Sequence, residues 1–561
     1  MFILNRRNFL KRILSYVPWK ETRTISNLPL FANAVNFSDR TALYDGAGSY
    51  TFGNIFARAA ELSSSISSRL SGKTNERVLF LCSNDVNYVI TLWAIWMSGQ
   101  IAVPLSPLHP VKILQYYAQD TGCKLLITAP QHQEVMRKIS KTTSTNLYVI
   151  EEGLQKFAGL NTTTPEDLRG KLPSDFKENS NALILYTSGT TGNPKGVVLS
   201  HKNLLVQTNT LLQAWKWSSE DVILHTLPLH HVHGTVNALF CPLQIGARTI
   251  MLPKFSTEEV WSHLLGTNET LSNVDVSVFM AVPTIYSKLI DYYEKNLKGK
   301  KEDVRNRLKS KVRLMVSGSA PLPVPLYEKW LEISGHRLLE RYGMTEIGMA
   351  LSNEYDSDRA PGYVGVPLPG VSVRLSETTN DIHNTLLECK NESGTISFNK
   401  KANKNTQGEL LVKGGGVFKE YFNKPEATRK EFTEDGWFKT GDMCEYVPEK
   451  NKFRILGRTS VDIIKSGGYK ISALQIETVL LAHPDIRECA VLGIKDEVWG
   501  EKIAAVVVLR NGAEVSLDKL RDWASDKMPK YALPSELKVV EDIPKNAMGK
   551  VNKKELAKST F

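Results

Sequence analysis

Tyr186 to Val197 read YTSGTTGNPKGV, and the meaning of this stretch decides the rest. Thr187, Ser188, Thr190 and Thr191 precede Lys195, with Gly189, Gly192 and Gly196 spaced among them and Asn193-Pro194 just before the lysine. Glycines let backbone N–H groups approach an anion closely, hydroxyls add donors, and a lysine supplies a point charge. A polyphosphate is the natural guest of such a loop. The apolar run Ala182-Leu183-Ile184-Leu185 upstream reads as a buried strand, so the loop is expected to hang from a strand end, where α/β folds place phosphate loops. It is not a Gly-x-x-x-x-Gly-Lys-Ser/Thr loop opening a helix: Lys195 sits between Pro194 and Gly196, and no helix can start there in the required register. A solvated Ser/Thr/Gly linker would lack this ordered pattern between two apolar strands.

Outward from the loop, composition bounds the answer. At 561 residues the chain exceeds one ordinary domain, and 42% hydrophobic with 23% charged residues is the balance of a soluble globular protein. Cys82, Cys123, Cys241, Cys389, Cys444 and Cys489 are scattered without paired spacing, which argues against a disulfide framework or a zinc site and fits a reducing compartment. The net charge of +11 is partly local, because Arg6, Arg7, Lys11, Arg12, Lys20 and Arg23 face only Glu21 within the first 25 residues. The remainder suits anionic small substrates, and no basic run interleaved with aromatics points to nucleic acid. MFILNRRNFLKRILSYV sets Leu10, Ile13, Leu14 and Val17 at helical spacing among basic residues, without an acid. That pattern resembles a mitochondrial presequence, so residues 1–25 are read as one and a matrix location is expected. Tyr88 to Met97, with Trp93 and Trp96, is too short to span a bilayer and reads as a buried helix followed by a strand. No transmembrane segment and no obligate protein partner are expected.

Helical and strand-like stretches alternate through the first 370 or so residues: Val78 to Cys82, Ile101 to Pro104, Val276 to Val282 and Val312 to Ser317 read as strands, and Pro323 to Ser334 as a helix. This βαβ rhythm predicts mostly parallel sheets with helices on both faces. From about Ser376 to Gln407 the chain is rich in Asn, Lys and Thr, which suggests an exposed hairpin or insertion rather than core. Beyond Gly457-Arg458 a further unit has its own pattern: Ile476 to Leu481 helical, Glu488 to Leu492 and Ile503 to Leu509 strands, Leu517 to Lys527 helical. About a hundred residues of that kind form a small α+β domain.

Further motifs follow the phosphate loop in order: Tyr342-Gly343-Met344-Thr345-Glu346, Trp437-Phe438-Lys439-Thr440-Gly441-Asp442, Gly457-Arg458 with Asp462 to Tyr469, and Pro544-Lys545-Asn546-Ala547-Met548-Gly549-Lys550. Together they resemble the adenylate-forming (AMP-binding) superfamily, which holds acyl-CoA synthetases, luciferases and peptide-synthetase adenylation domains, from about residue 30 to about residue 555. The resemblance implies an α/β fold in which residues 30–457 form a large N-terminal domain, with mostly parallel βαβ-type sheets plus a β-barrel-like subdomain. Residues 458–561 form a smaller, mobile α+β domain.

It also implies ATP, CoA and Mg²⁺. The Thr187–Lys195 loop would hold the phosphates that leave as pyrophosphate, Thr345 would contact the α-phosphate, and Glu346 would hold the Mg²⁺, a hard cation suited to carboxylate and phosphate oxygens. Asp442 would accept from the ribose hydroxyls, Arg458 would help fix the nucleotide, and Gly318-Ser319-Ala320 with Tyr342 would form the adenine slot. Lys550 would bridge the attacking carboxylate and the α-phosphate. Rotation of the smaller domain would then withdraw it and bring Gly467, Gly468 and Tyr469 to the site of thioester formation. One residue more than the commonest spacing separates Arg458 from Gly468, which leaves the pivot open between Arg458 and Asp462.

The acid is a separate question. Leu227 to Gly234 reads LPLHHVHG, with three histidines where one is usual, and Arg313 and Arg341 precede the Ser317–Leu322 and Tyr342–Glu346 motifs. These stretches resemble malonyl-CoA synthetases, and the whole chain, basic start included, resembles the mitochondrial members of that group. Malonate or methylmalonate is therefore the expected acid, with malonyl-CoA supplied to fatty-acid synthesis and malonate cleared. A dicarboxylate keeps a second negative charge after activation, and a fixed guanidinium is the simplest remedy for burying it. Arg313 with His231 or His233 is the expected clamp and Arg341 the reserve. Two readings stay open beside this one: a medium- or long-chain fatty acyl-CoA synthetase, and a catalytically inactive nucleotide-binding protein.

Overall fold

A computed structural model describes residues 29–150, 176–187, 193–379, 382–399, 404–510, 512–545 and 551–561. The presequence assigned to residues 1–25, the loop residues Ser188, Gly189, Thr190, Thr191 and Gly192, and Lys550 lie outside the described residues. The chain divides into two compact units, one of residues up to 255 with 418–425, the other of 256–417 with 426–561.

In the first unit, β1 (Arg77–Leu81), α1 (Val86–Met97), β2 (Ile101–Pro104), α2 (Val111–Thr121), β3 (Leu125–Thr128) and β4 (Asn146–Val149) follow the expected βαβ rhythm. They lead to β5 (Asn181–Thr187) and β6 (Lys195–Ser200). The sheet order is Glu420–Tyr421, β6, β5, β2, β1, β3, β4. The pairs from β5 to β4 are parallel, whereas β5 and β6 are antiparallel. Asp85 caps α1 by accepting from Asn87 N at 2.9 Å, and every residue from Tyr88 to Trp96 is buried, as a helix whose residues past Asn87 are apolar save Thr91 requires. Trp96 Nε1 donates to the Ala182 carbonyl at 2.8 Å, which fixes α1 against β5. The same unit holds Gly48–Thr51, Thr41–Asp45, Arg248–Met251 and Val222–His225, paired in that order.

The second unit begins with the parallel strands β7 (Val278–Ala281), β8 (Leu314–Ser317) and β9 (Leu339–Met344), with α3 (Val324–Ser334) between the last two. The antiparallel β10 (Gly348–Ser352) and Val366–Pro367 complete this sheet portion. A six-stranded antiparallel sheet curls into a half barrel in the order Thr395–Phe398, Ile382–Glu392, Val371–Thr379, Thr406–Gly414, β11 (Phe438–Val447), β12 (Lys452–Arg458). The polar stretch, read as an exposed hairpin or insertion rather than core, does form a hairpin, Val371–Thr379 with Ile382–Glu392, but one whose strands belong to this sheet and bury one face. Ser376, Leu387 and Cys389 are buried, because alternate residues of a strand point to opposite faces and only one face meets water. Polar composition averages the two faces and hides the buried one.

The C-terminal domain has a sheet of its own, built from β13 (Ile463–Ser466), β14 (Tyr469–Ser472), β15 (Ile486–Asp496), β16 (Gly500–Leu509) and β17 (Glu536–Val539). Val491, Ile503, Ala505 and Val507 face α4 (Ala473–Leu480) and α5 (Leu517–Ala524) through Ile476, Leu480, Leu520 and Ala524. Their neighbours Ala490, Leu492, Val506 and Val508 pack on the other face against Ile543 and Leu556 of α6 (Lys553–Thr560). Burial on both faces explains why β16 reads as a continuous apolar run.

Candidate active site

The Thr187–Lys195 connection joins the antiparallel strands β5 and β6, with Thr187 opposite Lys195 and Tyr186 opposite Gly196. Lys195 opens a strand, not a helix, as Pro194 and Gly196 required. Its Nζ lies 4.5 Å from the centre of the Tyr421 ring. A Cβ on Gly196 would sit 2.9 Å from Ile184 Cγ2, so the hairpin closes only around a glycine here. Thr187 is half-buried and Asn193 exposed.

The root of the hairpin is held by side chains that no motif announced. Tyr186 donates to Asp120 Oδ2 at 2.7 Å, Lys424 Nζ to Asp120 Oδ1 at 3.0 Å, and Tyr116 to the Pro194 carbonyl at 2.9 Å. The Tyr117 ring stacks on Tyr186 at 3.9 Å. Burial, reinforced by the Asp120 carboxylate, pushes the Tyr186 phenol far above its ordinary pKa, so it serves as a donor. Asp120 and Lys424 are 304 residues apart, which is why no local pattern signals them.

In the same unit the LPLHHVHG segment is tightly clamped. The Leu229 carbonyl accepts from Tyr88 at 2.7 Å and Thr235 at 2.6 Å, and the Leu227 carbonyl from Asn84 at 2.9 Å. A Cβ on Gly234 would lie 2.2 Å from the Pro228 carbonyl oxygen, so this position admits only glycine. The His230 ring lies 4.0 Å from that of His231 and 5.0 Å from that of His109. Burial holds the His230 pKa well below its ordinary value, with His231 and His109 adding to the effect. His233 is buried at the start of a widely wound helical segment, His233–Phe240.

In the second unit the motifs that carry Tyr342, Asp442 and Arg458 converge. Tyr342 donates to Asp442 Oδ2 at 2.5 Å, and Arg458 Nε pairs with Asp442 Oδ1 at 3.0 Å. β11 and β12 are adjacent antiparallel strands, and register places Asp442 opposite Arg458. Burial works against the Arg458 charge, but Asp442, Tyr342, Glu346 and Asp462 outweigh it and raise its pKa. Glu346 is buried and Thr345 half-buried in the turn between β9 and β10. That turn is tight: a Cβ on Gly343 would meet the Gly348 carbonyl oxygen at 2.1 Å. A buried carboxylate of this kind suits a hard cation that keeps phosphate oxygens and waters as its other ligands.

The two arginines fall at opposite ends of β8. Arg313 precedes the strand, with its guanidinium 5.4 Å from the Tyr355 ring centre. Arg341 lies on β9 beside the far end of β8: a Cβ on Gly318 would be 2.5 Å from Arg341 Cζ, and Arg341 Nη2 donates to Ser319 Oγ at 3.3 Å. Ser319 has φ +69°, while Ser319 and Ala320 are exposed. Arg341 is 5% exposed, and burial lowers its pKa to about 9. Among the described residues no partner accepts from its Nε, and no carboxylate offsets its charge.

In the C-terminal domain Gly467 and Gly468 form the β13–β14 turn with φ +56° and +84°, a conformation that favours glycine. Tyr469 is exposed and stacks on Tyr531 at 4.2 Å.

These features define an adenylate-forming enzyme, and the chain belongs to the AMP-binding enzyme family, which it matches over residues 30–422. The AMP-binding enzyme C-terminal domain matches residues 475–550. Among curated relatives, the mouse (Mus musculus) protein named malonate–CoA ligase ACSF3, mitochondrial, is 45% identical across 100% of this chain and 95% of its own. Among solved structures, ATP-bound MatB from Rhodopseudomonas palustris has a TM-score of 0.78 at 30% identity, covering 95% of this chain and 98% of that one. A malonyl-CoA ligase ternary product complex with methylmalonyl-CoA and AMP has a TM-score of 0.61 at 32% identity, covering 91% and 97%.

Proposed function

We propose that this chain is an AMP-forming acid–thiol ligase that uses ATP to join malonate, and methylmalonate beside it, to CoA. Arg341 carries the choice of acid. A guanidinium buried against Gly318, with no carboxylate of the protein to offset it among the described residues, is matched by the distal carboxylate of a dicarboxylic acid. Ligands of open α/β sheets bind beyond the carboxyl ends of the strands, and Gly318 follows the carboxyl end of β8, whereas Arg313 precedes its amino end. Arg341 is therefore assigned the clamp, with His231 and His233 as candidate neighbours of the acid. The 45% identity to malonate–CoA ligases supports malonate as the acid, whichever residue holds it.

In this reading the Thr187–Lys195 loop holds the β- and γ-phosphates. Thr345 contacts the α-phosphate, and Asp442 and Arg458 orient the ribose, with Tyr342 and the Gly318–Ala320 segment beside the adenine. When bound with ATP, Mg²⁺ at Glu346 would neutralise phosphate charge. Lys550 brackets the carboxylate and the α-phosphate during adenylate formation, since two anions must meet there. The domain formed by residues 458–561 then turns about the Arg458–Asp462 stretch and presents Gly467, Gly468 and Tyr469 for attack by the CoA thiol. The mitochondrial names of the relatives and the basic start support a mitochondrial site of action, in the matrix. There the product would feed fatty-acid synthesis while malonate is cleared.

The test is ATP- and CoA-dependent thioester formation across acetate, malonate, methylmalonate, octanoate and palmitate. Malonate should lead. Palmitate well above malonate would overturn the dicarboxylate reading, and no product with any acid would overturn the ligase.

A further inference from the structure

One buried cluster of charges in the C-terminal domain touches the reading above only through Asp462, at the end of the pivot stretch. Lys553, the first residue of α6, places Nζ 2.6 Å from Asp462 Oδ1 and 2.7 Å from Glu477 Oε1. The three side chains are only 11–15% exposed, so this is an interior ionic triad and not a surface pair. Burial draws the Lys553 pKa down, but the two carboxylates outweigh it and keep the ammonium charged.

Asp462 is shared. Its Oδ2 accepts from Arg458 N at 3.0 Å, and its carbonyl accepts from Ala473 N at 2.7 Å. A Cβ on Gly457 would lie 2.5 Å from Asp462 Cβ, so the chain packs on itself at this junction. Glu477 is shared as well, with Oε1 accepting from Val491 N at 2.8 Å. Lys553 thus ties α6 to two elements at once: α4 through Glu477 and the stretch that follows Arg458 through Asp462. On the near side of residues 546–550, Lys545 bridges Val551, and its Nζ lies 2.5 Å from Glu488 Oε2. Both flanks of that segment are pinned, but only the Lys553 arm reaches the junction at Arg458.

We propose that Lys553 is a positioning residue for adenylate formation: its ammonium, held between Asp462 and Glu477, fastens the chain three residues after Lys550 to the stretch that follows the nucleotide-binding Arg458. The inference rests on the reading of Lys550 as the adenylation lysine. A loosened α6 start misplaces Lys550, and small misplacements of a reacting group are costly. The turn assigned to thioester formation is held separately, by Gly467 N donating to the Trp499 carbonyl at 2.9 Å and Lys465 N to Glu501 Oε2 at 2.6 Å. Loss of the triad should therefore fall on one half-reaction.

The experiment compares the wild-type full chain with Lys553→Met, using whichever acid the wild type activates. ATP–pyrophosphate exchange reads adenylate formation, and CoA-dependent consumption of pre-made acyl-adenylate reads the second step. Exchange kcat should drop at least roughly tenfold, while KM for ATP and the second half-reaction stay within about threefold. A parallel fall of both half-reactions, or unchanged exchange, would overturn the positioning role. If Lys553→Met does not fold, Glu477→Gln, which lies outside the pivot stretch, carries the same comparison: selective loss of exchange supports the role and parallel loss overturns it. Lys550→Ala, run alongside, keeps the parent reading separate: exchange that survives it overturns the role of Lys550 itself, and this inference with it.

Discussion

At the scale of single residues, Arg341 carries the most consequence. Losing one partner of a buried charge pair costs about 2–5 kcal/mol, so Arg341→Ala should lower kcat/KM for malonate by roughly thirtyfold or more. Exchange assays across malonate concentrations would read this. Arg313→Ala should do far less, and a larger effect at Arg313 than at Arg341 would reverse the assignment. Its neighbour Glu340 supplies a pH signature. Glu340 accepts from Gly362 N at 2.8 Å, and burial raises its pKa from 4.5 to about 8. The folded state therefore keeps a proton that the unfolded state has released. That contribution to stability is complete below about pH 4.5 and is lost as pH rises towards about 8. Glu340→Gln, measured by urea denaturation from about pH 5 to about pH 8, should flatten the decline; an unchanged slope would acquit Glu340. The residues proposed to hold the nucleotide stand out in the sequence because each sits in a short contiguous motif with a chemical reason for its residue types. The proposed acid clamp is not legible in the same way. Arg313 and Arg341 both stand beside motifs, and only burial and strand direction distinguish them.

At the scale of elements, the β5–β6 hairpin shows what a pattern predicts and what it leaves out. The apolar run, Pro194 and Gly196 predict a strand, a loop and no helix, and the hairpin is built that way. Nothing in that pattern predicts Tyr116, Asp120 and Lys424, which arrive from elsewhere in the chain to hold its root. Tyr116→Phe removes the hydrogen bond to the Pro194 carbonyl, worth about 0.5–1.5 kcal/mol. KM for ATP should rise between roughly twofold and tenfold with little change in thermal midpoint. An unchanged KM would show that the hairpin needs no such support. The half-barrel strands between Val371 and Gly414 teach the converse. Their polar composition describes the wet face alone, and alternation conceals Leu387 and Cys389 beneath it.

At the scale of the whole molecule, the prediction concerns division of labour. Lys550→Ala should abolish adenylate formation yet leave thioester formation from pre-made malonyl-adenylate largely intact, as separate-step kinetics would show. Equal loss of both would end the proposal that one domain serves two steps in turn. The α/β architecture and the separate C-terminal domain are legible from strand–helix alternation, since that rhythm follows directly from burial on two faces. The buried Lys553 triad is not, because a lysine near a lysine-rich end reads as a solvated charge until the fold encloses it.

The contact between Gly318 and Arg341 also bears on what counts as the complete protein. Arg341 is a buried cation that no carboxylate among the described residues offsets, and under the proposed clamp the substrate would supply that negative charge. Malonate is then more than a reactant passing through. On that reading bound malonate would be the counter-ion of Arg341, and an acid with an uncharged tail would leave the guanidinium unpaired.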